Sequence, residues 1–231
     1  MAPSRARTSV QTSPSCTITG GELRSKILQA SVALIEEEGL ARLSMREVAR
    51  RAGVTHQAPY HYFADREAIL GEIAAQGFRM LTAAVVQAVE AVPCCAEQHS
   101  KHLATARISA LARAYVEFAC RHRAHFRIMF RPELVDMDNC PVARAQGGEA
   151  FLTVQRIVHE AVSAGVPAQP SENALMTLIW SVGHGLACLL LDGPLGHKHP
   201  NTAPEHIDAV LGALNGLLEA SLAQAVEPPT T

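Results

Sequence analysis

The sequence predicts an all-α protein with a small N-terminal three-helix unit followed by a larger helical unit. Hydrophobic residues make up 48% of the 231 residues but aromatic residues only 4%, so alanine and leucine supply most of the apolar surface. That composition favours helices over sheets. Apolar residues recur at a spacing of three and four, and no stretch shows the alternating pattern of a strand. At this length the chain can bury a core without disulfides or metals.

The N-terminal residues 1–20 are rich in Ser, Thr, Pro and Arg and show no apolar periodicity, which indicates a disordered tail. A first helix is predicted over 22–38, because Leu23, Ile27 and Leu34 lie on one helical face. We expect this helix to end at Gly39, since glycine tolerates the backbone conformation that follows a helix.

Residues 44–63 predict two short helices around a tight turn. Ser44 and Glu47 have the spacing of a capping box, in which each residue satisfies a free amide of the other. Gly53 fits the left-handed position that ends a helix, and Thr55 can cap a second helix running to about Phe63. Two short helices around a glycine turn indicate a helix-turn-helix, whose second helix enters the DNA major groove.

The second of these helices carries the polar side chains expected at a nucleic-acid surface. They offer donors and acceptors to base edges and a phenol to phosphate. Between residues 39 and 66 five arginines oppose only two acids, which suits a phosphate backbone although the net charge of the whole chain is −2. The polar candidates are Thr55, His56, Gln57, Tyr60 and His61.

The stretch over about residues 21–81 resembles the DNA-binding domain of the tetracycline-repressor (TetR) family. The motifs that carry the resemblance are Gly39-Leu40, Leu43-Ser44, Val48-Ala49, Ala52-Gly53-Val54 and Tyr60-His-Tyr-Phe63, which leads to Asp65-Arg66. The resemblance implies a homodimeric, all-helical bacterial repressor that a small ligand releases from a palindromic DNA operator. It further implies that one set of residues faces bases, namely Arg46, His56, Gln57 and His61. A second set would face phosphates or fix the pose, namely Ser44, Thr55, Tyr60, Tyr62 and Arg66.

The remaining helices follow from the positions of proline and glycine. A long helix is predicted from an Asp65 cap to about residue 91, where Pro93 stops it, and it forms the only continuous link to the second unit. Further helices are predicted over 99–121, 123–130, 148–164, 171–191 and 204–225. Residues 131–147 and 192–203 carry several prolines and are expected to be loops.

The C-terminal half looks like a ligand-binding and dimerisation unit. Residues 180–195 resemble the WHG type of C-terminal domain, and residues 123–131 resemble its middle segment. The resemblance implies a mostly apolar ligand pocket, and it implies that the helices at 171–191 and 204–225 form the homodimer. The expected pocket residues are Phe118, Phe126, Met129, Phe130, Phe151, Trp180 and His184.

These expectations divide the chain into a tail (1–20), a helix-turn-helix domain (21–81), a helical ligand-binding and dimerisation domain (82–226) and a frayed end (227–231). Residues 174–191 carry no Asp, Glu, Lys or Arg, and we expect a helix buried on all sides rather than a membrane span. The six cysteines show no paired framework and no secretory signal is evident, so the expected location is the cytoplasm, at the nucleoid when bound to DNA.

Two other classes of function remain open. Cys94, Cys95, His99 and His102 lie close in sequence and could form a metal-sensing site, although no Cys-x-x-Cys pair is present. A helical enzyme is the remote alternative, because the chain lacks a glycine-rich phosphate loop, a Gly-x-Ser-x-Gly elbow and a His-Glu-x-x-His motif. We therefore expect no catalytic residues, no bound metal and no cofactor.

Overall fold

The computed structural model of the protein describes residues 20–94, 100–198 and 203–224, and these residues form nine α-helices and no strand. The predicted all-α fold is confirmed. Two short 3-10 helices, Leu40–Arg42 and Ala58–His61, lie among them. The α-helices are α1 (Gly20–Glu38), α2 (Met45–Ala52), α3 (Arg66–Glu90), α4 (Ser100–Arg121), α5 (Arg123–Met129), α6 (Pro141–Ser163), α7 (Glu172–Leu191), α8 (Pro194–Lys198) and α9 (Ala203–Gln224).

The boundaries of α2 follow the capping signals of the sequence. The hydroxyl of Ser44 accepts a hydrogen bond from the amide of Glu47 at 3.3 Å. At the other end Gly53 adopts a left-handed conformation with φ 63°, which a side chain would strain. Between these ends Val48 is fully buried and α2 packs against α1, so the apolar face anchors the short helix to the core.

The segment after α2 is not the α-helix to Phe63 that the sequence predicts. Residues 55–57 form a turn, and only Ala58–His61 is helical, with 3-10 geometry. The bonds from Ala58 N to Thr55 O and from Tyr60 N to Gln57 O, at 3.0 and 3.1 Å, have the three-residue spacing of this geometry. Pro59 explains the difference, since it has no amide hydrogen to donate one turn back.

Helix α3 joins the N-terminal unit to the rest of the chain. Its first turn is capped by Asp65, whose carboxylate accepts from the amide of Ala68 at 2.7 Å. Ile69, Leu70 and Ile73 are fully buried, and α3 packs against α1, α4, α5 and α6. The hydrophobic core is continuous through both halves, so the division near residue 81 stays a prediction.

Two predicted loops contain helix. Helix α6 begins at Pro141, seven residues earlier than expected, because proline is well suited to the first turn of a helix. The glycines at 147 and 148 do not interrupt this helix, and Gly147 allows α6 to approach the ring of Phe78 on α3. The expected loop 192–203 contains α8. Of the predicted tails 1–20 and 227–231, Gly20 belongs to α1 and the other residues lie outside the described ones.

Helices α7 and α9 each bury one face and expose the other. Both pack against α4, but Leu178 and Leu189 of α7 and Leu217 of α9 are 51%, 45% and 70% exposed. The expectation that 174–191 is buried on all sides is therefore wrong for the single chain. By length and composition α3 and α7 could each cross a membrane, yet both are integrated into this helical core.

Candidate nucleic-acid interface and effector cavity

A cluster of polar side chains projects from the turn after α2. Thr55, His56, Gln57, Tyr60 and His61 are all exposed. Beneath them Ala58 and Pro59 are buried, so the apolar residues of the segment hold the polar ones outward. The rings of His56 and Tyr60 lie 6.0 Å apart. The structure thus brings all five polar candidates onto one surface, and it does so with a turn and a 3-10 helix rather than a regular helix.

Arg66 lies behind this surface and ties it to α3. Its Nε donates to the carbonyl of Leu43 at 3.1 Å, and its Nη2 donates to the carbonyl of Leu40 at 3.3 Å. These bonds fix the segment before α2 against the start of α3. Tyr62 is half-buried and packs against the core, with its hydroxyl near Gly20. Both side chains make contacts within the N-terminal unit, and their expected roles in DNA binding stay predictions.

The acidic end of α1 moderates the charge of the arginine-rich region. Glu38 pairs with Arg42 at 3.2 Å, and Arg51 pairs with Glu37 and Glu38. The guanidinium of Arg50 donates to both carboxylate oxygens of Glu47, and this hydrogen bonding lowers the pKa of Glu47. These pairs leave less free positive charge than the arginine count suggests.

Arg46 and Ser44 are the predicted contacts nearest the start of α2. Arg46 is exposed and pairs with no carboxylate among the described residues, so its guanidinium is available to a phosphate or base. Ser44 is exposed but its oxygen caps α2, which leaves its hydroxyl hydrogen to donate outward.

A second feature, the effector cavity, lies between α3, α4, α5, α6 and α7. It has a volume of about 350 Å³, within the range of small-molecule sites. Its wall is almost entirely apolar and rich in aromatic rings. The lining residues are Phe78, Leu81, Thr82, Val85, Leu111, Ala112, Tyr115, Met129, Phe130, Met137, Arg144, Gly147, Ala150, Phe151, Thr153, Val154, Met176, Ile179, Trp180 and Gly183.

Four of the seven predicted pocket residues line this cavity, namely Met129, Phe130, Phe151 and Trp180. Phe118 and Phe126 are almost fully buried in the core and do not line it. His184 stands one layer behind the wall, against the rings of Phe126 and Phe130 at 5.3 and 5.0 Å.

The sequence reasoning missed the contribution of α3 to the cavity. Phe78, Leu81 and Val85 belong to an apolar stripe that has the same spacing whether it faces a core or a cavity. It also missed Tyr115 and Arg144, and it placed Arg144 in a loop. No local signal distinguishes these positions, because only the packing of five helices leaves the space between them.

Tyr115 carries the main polar network of the cavity wall. Nε1 of Trp180 donates to its hydroxyl at 3.2 Å, and the hydroxyl lies 2.8 Å from Nδ1 of His184. Burial raises the pKa of Tyr115 far above its usual value and lowers the pKa of His184. Tyr115 therefore stays protonated and His184 is neutral at pH 7; when the hydroxyl donates to Nδ1, the imidazole proton sits on Nε2.

The proposed metal cluster is only partly within the described residues. Cys95 and His99 lie outside them, while Cys94 and His102 are exposed. Among the residues that the structure describes, no group of three His, Cys, Asp or Glu side chains could hold a metal ion. The metal-sensing alternative stays a prediction.

Comparison with known proteins bears on both halves of the chain. Residues 27–73 match the family of bacterial regulatory proteins, tetR family, and residues 108–214 match the tetracyclin repressor-like C-terminal domain. No curated protein matches the chain. The profile that matches the second half does not distinguish the WHG type, so that assignment stays a prediction.

Solved structures share the fold over most of the chain. A protein with unknown function from Rhodococcus sp. RHA1 is 32% identical, with a TM-score of 0.66 over 85% of this chain and 93% of that chain. A tetR-family regulatory protein from Rhodococcus RHA1 is 17% identical, with a TM-score of 0.62 over 83% and 96% of the two chains. The TetR-family regulator PfmR from Thermus thermophilus is 23% identical, with a TM-score of 0.54 over 83% and 96%.

The helix-turn-helix, the helical second half and the two family matches agree with one another. The chain belongs to the tetR family of bacterial transcriptional regulators, whose N-terminal unit binds DNA.

Proposed function

We propose that the protein is a homodimeric repressor, released from a palindromic operator when a small, largely apolar ligand occupies the effector cavity. The observation that carries the proposal is the position of α3. Its first residue, Arg66, is bonded to the carbonyls of Leu40 and Leu43 just before α2, and Phe78, Leu81 and Val85 of the same helix line the cavity. A ligand that prefers one placement of α3 therefore also biases the placement of the DNA-binding surface. We expect the protein to act in the cytoplasm, at the nucleoid when it is bound to DNA.

In the proposed DNA complex the exposed turn and 3-10 helix enter the major groove. Arg46, His56, Gln57 and His61 face base edges, while Ser44, Thr55 and Tyr60 contact phosphates. Tyr62 and Arg66 hold the segment in register. Two such surfaces read half-sites about one helical turn apart, roughly 34–36 Å.

The proposed dimer uses the outward faces of α7 and α9. These faces present Leu178, Leu189 and Leu217 to solvent in the single chain. Gly185, Gly212 and Gly216 are exposed beside them, and their Cβ positions meet nothing within 4 Å. Small residues next to exposed leucines allow the close helix approach of a four-helix interface between two copies.

The first experiment selects bound duplexes from a random-sequence library and measures their affinity as a function of salt. We expect a palindromic preference and a linear fall of log affinity with log salt. Gln57→Ala should relax the preference at one position of each half-site by about 1–3 kcal/mol. Arg156→Gln, a charge loss on the exposed outer face of α6, is the control and should leave the preference unchanged.

Two outcomes would contradict this docking mode. One is duplex binding without any sequence preference, which would remove the base contacts. The other is an equal loss of affinity for all sequences on Gln57→Ala, which would make Gln57 a phosphate contact. Release is tested separately, since a ligand that binds the cavity without lowering operator affinity would leave a DNA-binding protein that is not ligand-controlled.

A further inference from the structure

The wall of the effector cavity carries one charged side chain among the described residues, and this side chain is Arg144. Every other lining residue is neutral, and no carboxylate lines the cavity. Burying an unpaired charge is costly. An apolar cavity with a single guanidinium at its edge therefore favours a ligand that carries one negative charge.

Arg144 stands where the cavity opens. It also lines a shallow groove on the outer face of α6, together with Glu149, Leu152, Thr153 and Arg156. Its side chain is 60% exposed, and its guanidinium is 3.7 Å from the carboxylate of Asp138, which is 93% exposed. A pair of this distance and exposure is weak, so an incoming anion can replace Asp138 at little cost.

Elsewhere in the wall, Oγ1 of Thr82 is buried without a hydrogen-bond partner among the described residues, but it carries no charge that could pair with a carboxylate. The hydroxyl of Tyr115 is shared between Trp180 and His184. A ligand that buried its charged group there would have to break this network. The charged end of a ligand is therefore best placed at Arg144, and its apolar body against the rings of Phe78, Phe130 and Trp180.

We propose that the effector cavity takes an apolar molecule bearing a single carboxylate, which pairs with Arg144 at the opening while the apolar body fills the space between α3, α5 and α7. This proposal rests on the proposed function only in taking the cavity as the ligand site. It names the charge class of the ligand, which the repressor assignment leaves undefined.

The protein contains its own reporter for this test. Trp180 is the single tryptophan of the chain and lines the cavity, so its fluorescence reports occupancy directly. We would titrate the full-length protein with straight-chain carboxylates from octanoate to hexadecanoate, each below its micellar concentration. The alcohol and the trimethylammonium compound of each chain length serve as neutral and cationic probes. Sedimentation at the same protein concentration separates ligand binding from a change of oligomeric state.

The expected result is that a carboxylate binds about fivefold or more tightly than the alcohol of equal length, and that the ammonium compound binds most weakly. Arg144→Gln should remove this preference while leaving the affinity for the alcohol unchanged. Arg156→Gln removes an equal charge from the same helix outside the cavity wall and should keep the preference.

Three binding results with the unsubstituted protein overturn the proposal. They are equal binding of carboxylate and alcohol, tighter binding of the ammonium compound, and the absence of carboxylate binding at every length. Preference for the carboxylate that survives Arg144→Gln also overturns it. Failure of the repressor function looks different, because a carboxylate would then bind with the expected dependence on Arg144 and yet leave operator affinity unchanged.

Discussion

The phenol of Tyr115 on α4 lies 2.8 Å from Nδ1 of His184 on α7, so a residue of the cavity wall is bonded to one that stands behind it. The indole of Trp180 completes the network by donating to the same hydroxyl. Three side chains of two helices thereby satisfy one another in apolar surroundings, where an unpaired polar group is costly. The bond also orients His184, which packs against Phe126 and Phe130 behind the cavity.

Tyr115→Phe should lower the free energy of unfolding by about 1–3 kcal/mol, because it leaves Nδ1 of His184 and the indole N–H of Trp180 without their partner. Urea denaturation followed by circular dichroism measures the change. Tyr60→Phe removes the same hydroxyl from a 46% exposed side chain and should change stability by less than about 0.5 kcal/mol. Equal stability of the two variants would show that the hydrogen bonds of Tyr115 make no net contribution to the free energy of unfolding.

The buried imidazole of His125 should make the folded protein less stable in mild acid. Burial, with a smaller contribution from His122, lowers its pKa from 6.5 to about 4. Between these pH values the unfolded chain binds a proton that the folded chain does not. The contribution of His125 to the free energy of unfolding therefore falls by about 3 kcal/mol as the pH falls from 6.5 to 4.

Denaturation of wild type and His125→Gln at pH 7 and pH 5 isolates this contribution. The variant should lose about 2 kcal/mol less than wild type between the two pH values. If the variant is too unstable to compare, the NMR titration of the His125 ring in the wild type decides the matter. A ring that titrates near pH 6.5 would contradict the prediction.

Gly77→Ala should destabilise the protein by about 1–3 kcal/mol, because a methyl group at this position of α3 meets Met129 and the Cβ of His125 on α5 at 3.1 Å. Gly148→Ala is the matched substitution in α6, where the added carbon meets nothing within 4 Å. It should stabilise by about 0.5–1 kcal/mol. Thermal unfolding of both variants tests the close packing of α3 on α5, and a stabilising Gly77→Ala would disprove it.

Arg66→Gln should weaken operator binding, because residues 40–44 before α2 are then held less firmly against α3. The carbonyls of Leu40 and Leu43 lose their hydrogen bonds to the guanidinium. Amide hydrogen exchange around residues 40–44 should then accelerate. Arg79→Gln, which breaks an exposed pair with Glu72 on the same helix, is the control. A smaller salt slope with unchanged exchange would instead identify Arg66 as a phosphate contact.

Gly212→Ala combined with Gly216→Ala tests the dimer face. In a single chain both positions are open, so alanine should stabilise α9 by about 0.5–1 kcal/mol per site. If a second copy packs here, the added methyl groups separate the helices, and the dimer dissociation constant should rise at least tenfold in sedimentation equilibrium. An unchanged constant would place the dimer interface elsewhere.

Local signals in the sequence were sufficient to predict the capping residues and most helix ends. Ser44, Gly53 and Asp65 all occupy the positions predicted for them, because capping depends on a few neighbouring residues. The motif around Pro59 predicts an α-helix, but proline lacks the amide hydrogen that an α-helix would use at this position. The exposed polar side chains nevertheless lie together, since that arrangement depends only on which residues are buried.

The cavity could not be predicted in the same way. Its wall takes residues from helices far apart in sequence, and Phe78 and Phe118 are equally plausible candidates until packing places only Phe78 at the cavity. The position of Arg144 in the cavity wall could not be predicted for the same reason, since it depends on α6 beginning at Pro141 and packing along α3.

Helix α3 has 25 residues and is therefore about 37 Å long. Its close contacts with α5 and α6, at Gly77 and Gly147, lie near its middle, and the cavity residue Leu81 is about 22 Å along the axis from Arg66. A tilt of about 8° at the cavity would displace the end at Arg66 by roughly 3 Å over this distance. That displacement is close to the ~3.4 Å spacing of successive base pairs. In the proposed function, a ligand in the 350 Å³ cavity that tilts α3 by this angle would move each DNA-binding surface by about one base-pair step.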